Sequence, residues 1–221
     1  MMIGIDPSEM RAQRHAMVAS QLRTNAVSDT RVVAAMATVP REAFLPGDAA
    51  KMAYRDTAIP LGRGRAANAP IATGRLLTAA TLDSVDRVLL IGAAGGYAAA
   101  VLAQLAAHIV AVESDGALAE FARAALAGMP TVEVVQGELT EGWVAGAPYD
   151  VLIVDGAVEA LPPMLIEQVR PGGRVVTGLI ERGVTRLAAG RRTAGGFGLA
   201  SFVDTECVLL PGFAPPQAFR F

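Results

Sequence analysis

Residues 87–114 read Arg87-Val-Leu-Leu-Ile91-Gly-Ala-Ala-Gly-Gly-Tyr97, then an alanine-rich run to Ala107, then His108-Ile-Val-Ala-Val-Glu113-Ser114. A short apolar run meets a glycine cluster, a helix-forming segment follows, and a second apolar run ends on an acid. The order predicts strand, tight turn, helix, strand, carboxylate. Glu113 falls about twenty residues after the first glycine, where a nucleotide-binding sheet places its ribose-binding acid. An adenosine-containing cofactor is therefore expected.

The glycine spacing selects among such cofactors. A dinucleotide site uses Gly-x-Gly-x-x-Gly, so that backbone and helix N-terminus approach a pyrophosphate closely. Counting from Gly92, the second glycine position holds Ala94 and the third holds Tyr97. Bulk at these positions disfavours a nicotinamide-dependent oxidoreductase. S-adenosylmethionine (SAM) carries no phosphate and needs only close backbone approach plus an acid for the ribose hydroxyls. Gly92, Gly95, Gly96 and Glu113 supply that pattern, with Ala93, Ala94, Tyr97 and Ser114 completing the two loops. A plain turn with a solvated strand end is the competing reading of the same residues.

The uncharged stretch from Val88 to Val112 exceeds the roughly 18 residues that suffice for a membrane span. Its clustered glycines, with Gln104 and His108 inside, fit a buried parallel strand and a core-facing helix better. Further strands are expected at 132–136, 150–155 and 173–180, with helices near 97–106, 116–127 and 162–169. The segment 197–210 is expected to add antiparallel strands. Strands alternating with helices imply a mostly parallel sheet covered on both faces. Ligands bind beyond the carboxyl ends of such strands. That rule adds Gly137, Glu138 and Leu139 after the third strand and Asp155 after the fourth as cofactor candidates.

Upstream, residues 8–39 have helical period with a cap at Ser28 or Asp29, residues 40–75 are irregular, and Pro70 opens a helix to about Leu82. Residues 1–82 read as a helical and loop extension on the substrate side of one domain spanning 1–221. Net charge is −2, which shows no electrostatic footprint for nucleic acid. The first residues lack a basic and an apolar signal region, Cys207 is the lone cysteine, and two histidines do not suggest a metal site. A cytoplasmic protein without membrane or metal partners is expected. Arg63 and Arg65 read as solvated loop charges, and Trp143 as a surface or core filler.

Several segments then add up in order. They are Gln21-Leu22-Arg23, Val39-Pro40-Arg41-Glu42-Ala43-Phe44-Leu45-Pro46, Ala53-Tyr54-Arg55-Asp56, Ile59-Pro60-Leu61-Gly62-Arg63-Gly64, the turn ending Gly96-Tyr97, Pro148-Tyr149-Asp150, and Arg170-Pro171-Gly172-Gly173. In that order and spacing the chain resembles the protein-L-isoaspartate O-methyltransferase family over about residues 10–180. The resemblance implies a Rossmann-like class I SAM-dependent methyltransferase, of α/β class. Its acceptor would be the carboxylate of isoaspartyl residues in damaged proteins.

The departures fall at the chemistry. The family's active-site serine is replaced by Asn68, the acid two residues before the first glycine by Leu90, and the middle glycine by Ala94. Glu138-Leu139 and Asp155-Gly156 depart from the family pattern as well. Asn68 offers two amide protons to an acceptor carboxylate and is the catalytic candidate. It is equally placed to cap the helix at Pro70, and the sequence leaves both roles open. Tyr54, Asp56 and Pro70 are the substrate-side candidates. Asp155 is expected to compensate for Leu90 in holding the methionyl ammonium. A divergent homologue that methylates another acceptor, or binds the cofactor without catalysis, is the alternative.

Overall fold

The computed structural model describes residues 6–214. Helix α1 (Pro7–Met17) starts where Asp6 accepts the Ser8 amide, and it runs on through a wider turn, Val18–Leu22, to Asn25. Helix α2 (Thr30–Thr38) is capped by Asp29, which accepts the Arg31 amide at 2.8 Å and so satisfies an otherwise orphan donor. Two short 3₁₀ turns, Arg41–Phe44 and Gly47–Met52, lead to a small hairpin of β1 (Ile59–Gly62) and β2 (Arg65–Ala67). Helix α3 (Pro70–Ala79) opens on its proline, whose missing N–H costs nothing at the first helical position.

The remainder builds the main sheet. In chain order come β3 (Arg87–Ile91), α4 (Tyr97–Leu102), β4 (His108–Glu113), α5 (Gly116–Ala125), β5 (Val132–Gln136) and β6 (Tyr149–Val158). They are followed by α6 (Pro163–Glu167), β7 (Val169–Glu181), β8 (Val184–Thr193) and β9 (Gly196–Asp204). The seven strands lie in the order β5-β4-β3-β6-β7-β8-β9. Neighbours from β5 to β7 pair in parallel, whereas β7, β8 and β9 pair antiparallel. The α/β class and the antiparallel close to the sheet are as expected. The extra strand is β8, which falls between the expected strand 173–180 and the expected antiparallel segment 197–210 and was not anticipated.

Strand alternation divides the core between the two faces of the sheet. Val88, Leu90, Ile109, Ala111, Val151 and Ile153 join the cluster that contains α2, α3 and α4. Leu89, Ile91, Val110, Val112, Leu152 and Val154 join a second cluster with Leu139, Tyr149, Leu165 and Leu210. Leu90 is fully buried in the first cluster, so the position where the resemblance expects an acid belongs to the core. Trp143 packs partly buried against the second cluster, as a filler.

Strand order reverses between β3 and β6: β4 and β5 build out on one side, and β6 to β9 on the other. A crevice at the carboxyl end of such a switch point is where an open α/β sheet binds ligands. Among the described residues no helix is long and apolar enough to cross a membrane. The 88–112 stretch is instead two buried strands and α4.

Candidate active site

The turn from Gly92 to Gly96 joins β3 to α4 and lies entirely buried. The amides of Gly92 and Ala93 both donate to the Val112 carbonyl, at 3.0 and 3.1 Å, which pins the turn against β4. Ala94 adopts a left-handed conformation (φ 49°), a strained choice for a residue with a Cβ. Gly95 is required for a different reason. A Cβ there would lie 1.9 Å from the Phe44 carbonyl oxygen, so the Arg41–Phe44 turn is seated directly on this loop.

Glu113 ends β4 and has no exposed surface. Its carboxylate accepts from Arg65 Nε at 2.9 Å and Arg65 Nη2 at 2.8 Å, and from the amides of Ala94 and Asp115 at 2.7 and 3.1 Å. Burial pushes this carboxyl up, but the Arg65 hydrogen bonds and charge, with the two amides, outweigh it and hold it below the ordinary glutamate range. Arg65, expected as a solvated charge, is instead buried and paired. The hairpin turns its β2 strand inward, and the paired Glu113 carboxylate makes a guanidinium tolerable there. Arg63 does stand in solvent, 3.6 Å from Asp115.

A second polar group forms in the carboxyl-terminal half of β6, where its pairing with β7 is irregular between Ile153 and Ala157. Asp155 Oδ1 accepts from Asn68 Nδ2 at 2.8 Å and Thr73 Oγ1 at 3.1 Å, while Asn68 Oδ1 accepts the Val208 amide at 2.8 Å. Burial raises the Asp155 carboxyl above the ordinary aspartate range; these hydrogen bonds and the charges of Arg41 and Arg65 pull it back only in part. Asn68 does not cap α3. Ala69 is the cap residue and makes no side-chain cap bond, because the Asn68 side chain is spent on Asp155 and Val208. Arg41 is almost fully buried, donates from Nε to the Ala53 carbonyl at 2.8 Å and from Nη2 to the Asn68 carbonyl, and sits 4.7 Å from the Tyr97 ring centroid. That cation–π contact, together with Arg41's hydrogen bond to Asn68, ties the N-terminal segment to the glycine turn and the loop before α3.

The sequence-predicted residues thus divide. Gly92 to Gly95, Tyr97, Asn68 and Asp155 line one small cavity, Gly96 does not, and Glu113 lies behind it, bonded to Ala94. Pro70 is buried at the start of α3. Ser114 is half-buried and Gly137 donates its amide to the Glu113 carbonyl at 3.1 Å. Glu138 is exposed, and Leu139 is committed to the second core cluster. Tyr54 is buried and donates to Glu42, and burial with that bond raises its phenol well above the usual range. Asp56 is exposed on the loop before β1. Arg41, Arg65 and Thr73 were missed as site residues. Arg41 lay inside a quoted motif, but no spacing marks Arg65 as buried.

The cavity these residues line measures about 10 Å³, room for a single water. Cofactor sites are typically about 300–1,000 Å³. In this closed arrangement the Glu113 oxygens are saturated and the residues present do not admit SAM.

Comparison with known proteins completes the picture. The model of the family described as Protein-L-isoaspartate(D-aspartate) O-methyltransferase (PCMT) matches residues 12–199. A protein-L-isoaspartate O-methyltransferase 1 of Rhodopseudomonas palustris (strain HaA2) is 45% identical over 176 residues, covering 79% of this chain and 72% of the relative. A protein-L-isoaspartate O-methyltransferase of Methylorubrum extorquens (strain PA1) is 38% identical, covering 90% of each. Among solved structures, a protein-L-isoaspartate O-methyltransferase superposes with TM-score 0.78 at 24% identity, over 90% of this chain and 66% of its own. One from Plasmodium falciparum, described as putative and in complex with S-adenosyl-L-homocysteine, superposes with TM-score 0.74 at 16% identity, over 89% and 97%. These two share the fold. A family match over most of the chain, joined to relatives of this identity and to a glycine turn and acid at the switch point, leaves one assignment: the chain belongs to the protein-L-isoaspartate O-methyltransferase family.

Proposed function

We propose that the protein is a SAM-dependent methyltransferase acting on the carboxylate of isoaspartyl residues in damaged peptides and proteins. The observation that carries this reading is the placement of the Gly92–Gly96 turn and Glu113 at the carboxyl ends of adjoining strands β3 and β4, at the switch point, in a chain of this family. Gly92 through Tyr97, Glu113 and Ser114 are the cofactor side, with Gly137, Glu138, Leu139 and Asp155 at the neighbouring strand ends.

An isoaspartyl carboxylate, with an ordinary pKa of about 3.9, is already ionised near neutrality, so methylation needs no general base. The protein's task is to hold that carboxylate in line and to keep water out. Asn68 is the donor that would orient it, from the start of α3. Pro70, Tyr54 and Asp56 belong to the acceptor side in this reading. Among the described residues no cluster of metal-ligating side chains is present, and the reaction as proposed needs none.

One observation favours a second reading, a relative with another acceptor. Both functional ends of Asn68 are engaged, by Asp155 and Val208, and Asp155 places a carboxyl group next to the acceptor position. Methyl transfer from labelled SAM to an isoaspartyl peptide and to its aspartyl twin separates the two. Selective labelling of the isoaspartyl peptide supports the first reading; labelling of neither, with a family member active alongside, rejects it.

A further inference from the structure

We infer that residues Cys207–Phe213 and the Arg65 side chain form an intramolecular plug in the cofactor cleft, which must withdraw before SAM enters. The inference rests on the proposed function and adds a gate to it.

After β9 the chain does not extend the sheet. It turns back across the carboxyl end of β6, where Ala157 donates to the Val208 carbonyl at 2.7 Å and Leu210 donates to the Ala157 carbonyl at 3.0 Å. The Val208 amide reaches across to Asn68 Oδ1 at 2.8 Å, so the strap is tied to the catalytic candidate itself. Leu210 then enters the cleft. A Cβ built on Gly92 would lie 3.0 and 3.1 Å from its two δ-carbons, and one built on Gly156 would lie 2.6 Å from its Cγ. Leu210 therefore fills the space that two glycines, at the ends of β3 and β6, leave open. Such bare backbone is what a nucleoside or methionyl group would need for close approach.

Arg65 occupies the rest. Its Nη2 would lie 3.6 Å from the same Gly92 Cβ while its fork takes both oxygens of Glu113. With the amides of Ala94 and Asp115, all the acceptor sites of that carboxylate are used. A ribose presents two hydroxyl donors to one carboxylate, so it competes with Arg65 for the same oxygens. Arg65 Nη1 is buried with no hydrogen-bond partner among the described residues, so the guanidinium is incompletely satisfied by them where it lies. The strap is likewise held by isolated backbone bonds, not by a full ladder, and buries the side chains of Cys207, Val208, Leu210 and Phe213, which its withdrawal would expose.

A ligand that binds only the open form has its apparent affinity reduced by the open fraction. The test is titration of the whole protein with S-adenosylhomocysteine by calorimetry, wild type against Leu210→Ala. The variant is expected to bind at least about tenfold more tightly. Equal or weaker binding in the variant overturns the plug, as does no binding by either protein. Hydrogen exchange on the wild type needs no substitution. S-adenosylhomocysteine, up to its solubility limit, should speed exchange at the Val208 and Leu210 amides; unchanged or slower exchange there overturns the proposal. Cofactor binding without methyl transfer would reject the methyltransferase reading and leave the gate standing.

Discussion

Arg65 grips both oxygens of Glu113 through a bidentate, fully enclosed ion pair, at 2.9 and 2.8 Å. Removing one member of a buried pair strands the other, typically at about 3–5 kcal/mol. Arg65→Met should destabilise by that order in urea titration at neutral pH, and Arg65→Met with Glu113→Leu should recover most of it.

The same pair predicts an acid dependence. Glu113 titrates below its unfolded value, so its contribution is complete above the ordinary glutamate pKa of about 4.3 and is lost as pH falls through the lower folded value. The stability gap between wild type and Arg65→Met should therefore narrow when urea titrations are repeated in acid. A gap independent of pH would contradict the pairing.

Asp155 has the opposite sign. Its folded value is raised, so ionisation costs stability: the cost is absent below the unfolded pKa, grows as pH rises from there, and is complete above the folded value. Asp155→Asn keeps an acceptor for Asn68 and Thr73, both of which bond the same oxygen. Thermal melts near neutrality should show the variant at least as stable as wild type, with a flatter pH dependence. A lower Tm at all pH values would contradict the assignment.

The glycine turn predicts two contrasting substitutions. Gly95→Ala drives a methyl into the Phe44 carbonyl and should cost about 1–3 kcal/mol or more, since backbone must move. Ala94→Gly relieves a left-handed alanine, and should be neutral or stabilising by up to about 1 kcal/mol. Denaturant midpoints of the two variants check both signs.

Asn68→Ala removes the donor to Asp155 and the acceptor of the Val208 amide, a loss of about 1–3 kcal/mol for each buried group left unpaired. Methyl transfer to an isoaspartyl peptide should slow by roughly tenfold or more, as about 1.4 kcal/mol equals one decade. Asn68→Ser, which keeps a hydroxyl donor, should retain more rate than the alanine variant.

Strands β3, β4 and β6 were legible because each contains a continuous apolar run followed by a turn signal, whereas β8, rich in arginine and threonine, carries no such run. The expected 87–91 and 132–136 coincide with β3 and β5. The carboxyl ends of the parallel strands followed, and with them Gly92–Tyr97 and Glu113 at one sheet end; the strand order that makes this a switch point came from the structure. What the sequence did not carry was long-range pairing. Arg65 sits among glycine and arginine in a loop-like segment, and only the fold brings it to Glu113, 48 residues away. Nor does anything local mark Leu210 as a filler for Gly92; that contact depends on the chain doubling back after β9. Asn68 looked like a cap because it precedes Pro70, yet its bonds run to residues 87 and 140 positions on.

The most direct measurement is the chemistry of the product. The wild type and Leu210→Ala, incubated with methyl-labelled SAM and an isoaspartyl peptide, should both yield a labelled peptide that releases methanol in mild base, faster with the variant. The aspartyl twin should stay unlabelled. Label that resists base, label spread equally over both peptides, or none with either protein would contradict carboxyl methylation of isoaspartate.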